Sequence, residues 1–266
     1  MNRPLVTFTS DFGLDDWFVG VVRGVLHSGC PEAHVVDITH SIPPGDIERA
    51  VFVVNAAARD FPPGTVHLVV VDPGVGTARR GLVVRAHNQI FVGPDNGVLE
   101  SALGASDPEV HSITNESLFR PSVSATFHGR DVFAPIAAAL AGGAPLAEMG
   151  PRIVDPLRFP EPKPERRAGE LVGRIMFVDR FGNLLTNLKP ADIQNAYPDT
   201  AKGSFEIVAG GLAIRGLQRT YGDAPFGSLV AVLGSSGRLE IAQVGGSASH
   251  RLGLTVRDEV HVKLVG

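Results

Sequence analysis

Short apolar runs alternate with helical periodicity over the first half of the chain. PLVTFTS reads as a strand, and DDWFVGVVRGVLHS places apolar residues at helical spacing, with Asp15 and Asp16 expected at the helix start. AHVVDIT predicts the next strand and DIERAVFVVNAAARDF the next helix. TVHLVVVD predicts a third strand, apolar on both faces as parallel strands tend to be. GLVVRAHNQIFVG predicts a hairpin turning near Asn88, and FAPIAAALAGG a helix ended by Gly142 and Gly143. The β–α–β order implies an α/β fold, with an N-terminal, mostly parallel sheet covered by helices.

The texture changes after Ala144. PRIVDPLRFPEPKPERR is rich in proline and charge and lacks helical periodicity, so residues 145–167 read as a linker. Beyond it, GELVGRIMFVD, GNLLTNL, GSFEIVAGGLAIRGL, GSLVAVLGSSGRLEIAQV and DEVHVKLV are short β-like runs divided by Gly, Asn and Asp. They predict a C-terminal antiparallel β-barrel-like domain. The expected division is therefore 1–144, α/β; 145–167, linker; and 168–266, β.

Composition narrows the partners. Of 266 residues, 44% are apolar and 20% charged, which suits a packed core rather than disorder. The net charge of −4, without a basic block, argues against nucleic acid. No apolar run reaches bilayer-spanning length, and MNRPLVTFTSDF reads as a first strand rather than a signal peptide. The one cysteine, Cys30, excludes an internal disulfide and a Cys-rich zinc site. Its passive place at a helix end and a cytoplasmic home are the simplest expectations.

Three polar loops follow the buried-looking runs of the first half, where open α/β folds keep their chemistry. Asp11, in TSDFG, suits either a ribose diol or a helix N-cap. Asp72 ends an apolar run in VVVDPGVGTARR, seven residues before Arg79. The pair forms either a structural salt bridge or one face of a small polar site. His128, in FHGRDVF, could carry a proton or serve structure, and His40, in DITHSIPPGD, reads as a turn residue. In the second half, Asp179–Asn183 and Ser235–Ser236–Gly237 are compatible with ordinary turns.

Taken together, TSDFGLDD, VVDITHSIPPGDI, FPPGTVHLVVVDPGVGTARR, FVGPDNGVL, FHGRDVFAPIAAAL, VDRFGNLLTN and GSSGRLEIA resemble the S-adenosylmethionine hydrolases. These are also called SAM hydroxide adenosyltransferases and are related to fluorinases and chlorinases. The resemblance implies hydrolysis of S-adenosyl-L-methionine to adenosine and L-methionine by water or hydroxide attack at ribose C5′, without a cofactor or metal. It maps a catalytic Asp, Arg and His onto Asp72, Arg79 and His128. It further implies Asp11 on the ribose hydroxyls, Asp179 on the methionine ammonium, Asn183 on the adenosyl part and Ser235 on the methionine carboxylate. Ser236 is expected nearby and Glu240 near adenine. Gly-Ser-Ser-Gly stands where many relatives have Asn-Ser, which leaves the register of the two serines open. Fluorinases place Tyr at Asp72, Tyr-Ser at His128–Gly129 and Trp at Gly45, so the halide-site signature is absent.

The resemblance also implies a homotrimer, with each site between the N-terminal domain of one subunit and the C-terminal domain of the next. Two rival readings remain at this level. One is a metal-dependent, phosphatase-like hydrolase holding Mg²⁺ on Asp11, Asp16, Asp37 and Asp72. The other is a nucleoside-binding protein without turnover.

Overall fold

The computed structural model describes residues 3–198 and 205–265. Internal packing divides the chain into two compact units, Met1–Pro160 and Glu161–Gly266. Residues 145–167 are shared between them. Leu146 and Met149 are buried in the core of the first unit, and Asp155 and Arg158 bind its Arg80 and Glu100. Glu161 and Pro162 take bonds from Arg238 and Asn187 of the second.

The first unit runs β1 (Leu5–Ser10), α1 (Phe18–Gly29), β2 (His34–Thr39), α2 (Ile47–Ala58), β3 (Val66–Val70), β4 (Gly81–Ala86), β5 (Gln89–Pro94), α3 (Glu100–Leu103), β6 (Glu109–Ser112) and α4 (Ala134–Ala141). Its sheet has the order β2-β1-β3-β5-β4-β6. β2, β1, β3 and β5 pair in parallel, while β4 and β6 close one edge antiparallel. Val19, Val22 and Leu26 of α1 pack with Ile136 and Leu140 of α4 on one side of the sheet. Ala50 and Val54 of α2 pack with Ala102 and Leu103 of α3 in a separate core. The chain leaves β1 to one side for β2 and returns to the other for β3. The loops after β1 and β3 therefore part at a topological switch point, where open sheets leave a crevice.

Local chemistry explains the boundaries. The Asp46 carboxylate caps α2 by accepting the Arg49 N–H at 2.9 Å. His87 and Asn88 both take positive φ, the geometry a two-residue hairpin between β4 and β5 demands. Cys30 is the buried C-cap of α1. Two expectations shift at the start of α1. The helix begins at Phe18, so Asp15 and Asp16 lie ahead of its first turn, and Asp11 is not its cap. Gly13, at φ +68°, donates its N–H to the His40 carbonyl at 2.8 Å, ahead of the helix.

The second unit contains β7 (Glu165–Arg167), β8 (Glu170–Val178), β9 (Leu184–Thr186), α5 (Pro190–Ala196), β10 (Phe205–Ala209), β11 (Leu212–Arg215), β12 (Leu229–Leu233), β13 (Leu239–Gln243), α6 (Ala248–Leu252) and β14 (Glu259–Leu264). The paired strands are antiparallel and follow β11-β10-β14-β8-β9-β13-β12, with β7 added beside β8. Gln218, just past β11, bridges to Val232 of β12 and nearly closes the sheet into a barrel. Its interior is filled by Ile175, Leu184, Ile207, Leu239, Ile241, Val260 and Val262. No described helix is long and apolar enough to cross a membrane.

Candidate active site

The loop after β3 and the segment before α4 meet at the crevice. Asp72 and Arg79 are nearly buried, with side chains 6% and 11% exposed. Arg79 Nε lies 3.0 Å from both Asp72 oxygens, and Nη2 lies 2.5 Å from Oδ2. The same Nη2 lies 2.8 Å from His128 Nδ1. The guanidinium also sits over the ring of buried Phe133, 5.0 Å from its centroid. Asp72, Arg79 and His128 therefore form one connected cluster, although 49 residues separate its last two members.

This geometry fixes the imidazole. A guanidinium nitrogen only donates, so His128 Nδ1 is the acceptor and the proton of the neutral ring is on Nε2. Burial, and next the charge of Arg79, push the His128 pKa below its ordinary value, against weaker pulls from Asp72 and Asp131. The chain tightens into a π-helical turn, Gly129–Phe133, immediately after His128. That turn presses Gly129 on its neighbours. A Cβ there would meet Val70 Cγ1 at 3.1 Å and the Phe12 ring at 3.2 Å.

Asp11 follows β1 on the other side of the switch point. Its Oδ2 accepts the Gly45 N–H at 2.8 Å, and Gly45 has φ +74°. Burial raises the Asp11 pKa; the bond from Gly45 opposes this, and the negative charge of Asp72 adds to it. Among the described residues, no three His, Cys, Asp or Glu side chains converge as a ligand set. Asp37 is instead paired with Arg23, so the Mg²⁺ reading of Asp11, Asp16, Asp37 and Asp72 has no cage.

The second unit gathers its own candidates. Asp179 Oδ1 accepts the Phe181 and Asn183 N–H groups at 2.8 and 2.9 Å, and Oδ2 accepts Asn183 Nδ2 at 2.8 Å. The turn reading holds, and the carboxylate that shapes the loop also holds the Asn183 carboxamide. An open cavity of about 750 Å³ is lined by Phe181, Asn183, Tyr221, Gln243 and Ser247, among others. Glu240 is 4% exposed, and both its oxygens are taken, by the Tyr221 hydroxyl at 2.7 Å and the Ser236 hydroxyl at 3.0 Å. Burial and the neighbouring Glu240 push the Tyr221 phenol up to about 12. Ser236 is thereby held against Glu240, while Ser235 stands exposed at the tip of the Gly234–Gly237 turn. Phe181 and Tyr221 escaped the sequence reading. An exposed aromatic beside a Gly-Asn turn was the available signal for Phe181.

An α/β unit with a carboxylate–guanidinium–imidazole cluster at its switch point, followed by a β-barrel-like unit with an aromatic cleft, defines a two-domain enzyme of small-molecule chemistry. The chain belongs to the SAM hydroxide adenosyltransferase family: its N-terminal domain model matches residues 6–150 and its C-terminal domain model residues 173–261. The chain is similar to a protein of Salinispora arenicola named (R)-S-adenosyl-L-methionine hydrolase, with 42% identity over 98% of each chain. It is also 42% identical to one of the same name from Thermus thermophilus, over 95% of this chain and 96% of that one. A fluorinase of Nocardia brasiliensis is 29% identical over 99% and 98% of the two chains. Among solved structures, a conserved protein from Thermotoga maritima superposes with a TM-score of 0.90 at 37% identity, covering 97% of this chain and 99% of that one.

Proposed function

We propose that this protein hydrolyses S-adenosyl-L-methionine to adenosine and L-methionine. The observation that carries the reading is the single hydrogen-bonded cluster of Asp72, Arg79 and His128 beside Asp11, in a chain of this family. A water oxygen attacks ribose C5′, the C5′–S bond breaks, and sulfur leaves with the bonding pair as the neutral thioether of methionine. One proton is released from the water. The leaving group needs no acid, so the site's task is to hold and activate the nucleophile. His128 Nδ1 is engaged by Arg79, so the ring acts as an Nε2–H donor that orients the water. Asp72, with lone pairs left beyond those facing Arg79, accepts the proton. Arg79 stabilises negative charge as hydroxide character develops.

Asp11 takes the ribose hydroxyls. The cleft of the second unit takes the remainder: Phe181 and Tyr221 offer ring faces to adenine, and Asn183 offers polar contact to the adenosyl part. Asp179 meets the methionine ammonium. Ser235, exposed at the tip of its turn, meets the carboxylate, with Ser236 nearby, and Glu240 acts by holding Ser236 and Tyr221. The working form is a cytoplasmic homotrimer in which each site is completed by a neighbouring copy. The apolar side chains left exposed on each unit, Leu14 and Trp17 on one and Phe181 and Phe226 on the other, support an assembly that covers them. No cofactor takes part.

The test is incubation of purified protein with S-adenosyl-L-methionine, with and without chloride, fluoride or chelator. Equimolar adenosine and methionine, insensitive to chelator, support the reading. Retained adenosine with no methionine released, or a halogenated nucleoside as main product, refutes it.

A further inference from the structure

Behind Asp11 lies a buried polar chain that the nucleophile cluster does not use. Ser10 is fully buried, and its Oγ is 2.7 Å from His40 Nδ1 and accepts the Phe12 N–H at 3.3 Å. His40 is 3% exposed and packs edge-on against Phe8. Its Nε2 lies 3.2 Å from Asp37 Oδ1, off the line of a full hydrogen bond, and Asp37 is bound by Arg23 of α1. One tautomer suits every member. Nε2–H faces the carboxylate, and Nδ1 accepts from the Ser10 hydroxyl; the other tautomer would set a lone pair against Asp37.

Ser10, His40 and Asp37 have the composition of a nucleophilic triad, but Ser10 offers no surface to a substrate. The main chain shows a different use. The residue before Asp11 is held by the His40 side chain, Gly13 donates to the His40 carbonyl at 2.8 Å, and Gly45, five residues beyond His40, donates to the Asp11 carboxylate. Ser10, Asp11 and Gly13 are thus each bonded to one segment, residues 40–45.

We propose that His40 is a positioning residue for nucleoside recognition, clamping the β1 exit loop through Ser10 and Gly13 so that the Asp11 carboxylate meets the ribose hydroxyls. The proposal rests on the reading of Asp11 as the ribose-binding group. Sites of this kind work only when supporting hydrogen bonds lock the contacting group to within about 0.5 Å.

The experiment measures adenosine affinity by calorimetry, and kcat and KM with S-adenosyl-L-methionine, for wild type, Asp11→Ala, His40→Leu, His40→Asn, Ser10→Ala and the Asp11→Ala/His40→Leu double variant. His40→Leu should weaken adenosine and raise KM about tenfold or more, with kcat changed several-fold less. His40→Asn, whose carboxamide oxygen reaches the Nδ1 position, should recover most of the affinity. Ser10→Ala should reproduce part of the loss, and it carries the test if His40→Leu fails to fold. The double variant should bind no worse than Asp11→Ala. Weakening by Asp11→Ala with wild-type affinity in both His40→Leu and Ser10→Ala overturns the role of His40 and leaves Asp11 in place. Additive losses in the double variant also overturn it. Wild-type affinity in Asp11→Ala overturns the ribose reading itself.

Discussion

Arg79 is the point at which stability and chemistry are hardest to separate, and replacing it with lysine and with alanine separates them. Its fork supplies both oxygens of Asp72 and the Nδ1 of His128 from two nitrogens. A lysine keeps the charge but places three donors around one point, so it cannot serve both partners in the observed geometry. Losing one charge-assisted hydrogen bond is worth roughly 1.5–3 kcal/mol. If the contact matters fully in the transition state, turnover falls by about 10- to 150-fold. Arg79→Ala goes further, leaving the 6%-exposed Asp72 carboxylate without its cation. Breaking such a pair costs about 3–5 kcal/mol of stability. At about 2–4 °C per kcal/mol for a unit of this size, melting should fall by roughly 6–20 °C. The His128 ring should also titrate at higher pH in Arg79→Ala, because the charge that depresses it has gone. Assays are chromatographic release of adenosine and methionine, calorimetric melting, and NMR titration of the imidazole. Turnover of Arg79→Lys within twofold of wild type, with the His128 titration unmoved in Arg79→Ala, would refute the reasoning.

Two further outcomes follow from buried groups. His40 and His67 are each held to about 4, His40 by burial and then Arg23, and His67 by burial against a weaker pull from Gln89. An unfolded histidine titrates near 6.5, so below that pH the unfolded state binds protons that the folded one refuses. Stability is retained above about pH 6.5 and lost as pH falls toward about 4, by up to ~3 kcal/mol per histidine; urea midpoints that stay flat over that window contradict this. Gly129→Ser must place its Cβ within 3.2 Å of Val70 and Phe12. It should cost about 1–3 kcal/mol in unfolding experiments and lower turnover, without creating a halide-dependent product; wild-type stability would show that the π-turn has slack.

Much of this was legible from periodicity. The parallel strands, α2, the Asn88 hairpin and the later β runs are local patterns, and the structure contains them. The loops that carry Asp11, Asp72 and His128 were legible because each is a polar stretch after a buried-looking run, and the structure brings Asp72, Arg79 and His128 together. What failed is non-local. α1 starts at Phe18, later than the helical spacing predicts, and nothing within TSDFGLDDWF announces that Gly13 bonds to the His40 carbonyl ahead of it. β6 and the short α3, α5 and α6 are too brief for periodicity to identify. His40 read as a turn residue because its burial comes from β1 lying beside β2, bringing Ser10 to its ring. Tyr221 gains its meaning only when β13 brings Glu240 to its hydroxyl.

The most direct test of the central claim is a single turnover in H₂¹⁸O with enzyme in excess over S-adenosyl-L-methionine. A water held by Asp72, Arg79 and His128 predicts adenosine carrying one ¹⁸O at O5′ in that first turnover, beside an equal amount of methionine and with no label in the protein. Unlabelled adenosine with ¹⁸O appearing in the Asp72 carboxyl would make that side chain the nucleophile and contradict the account.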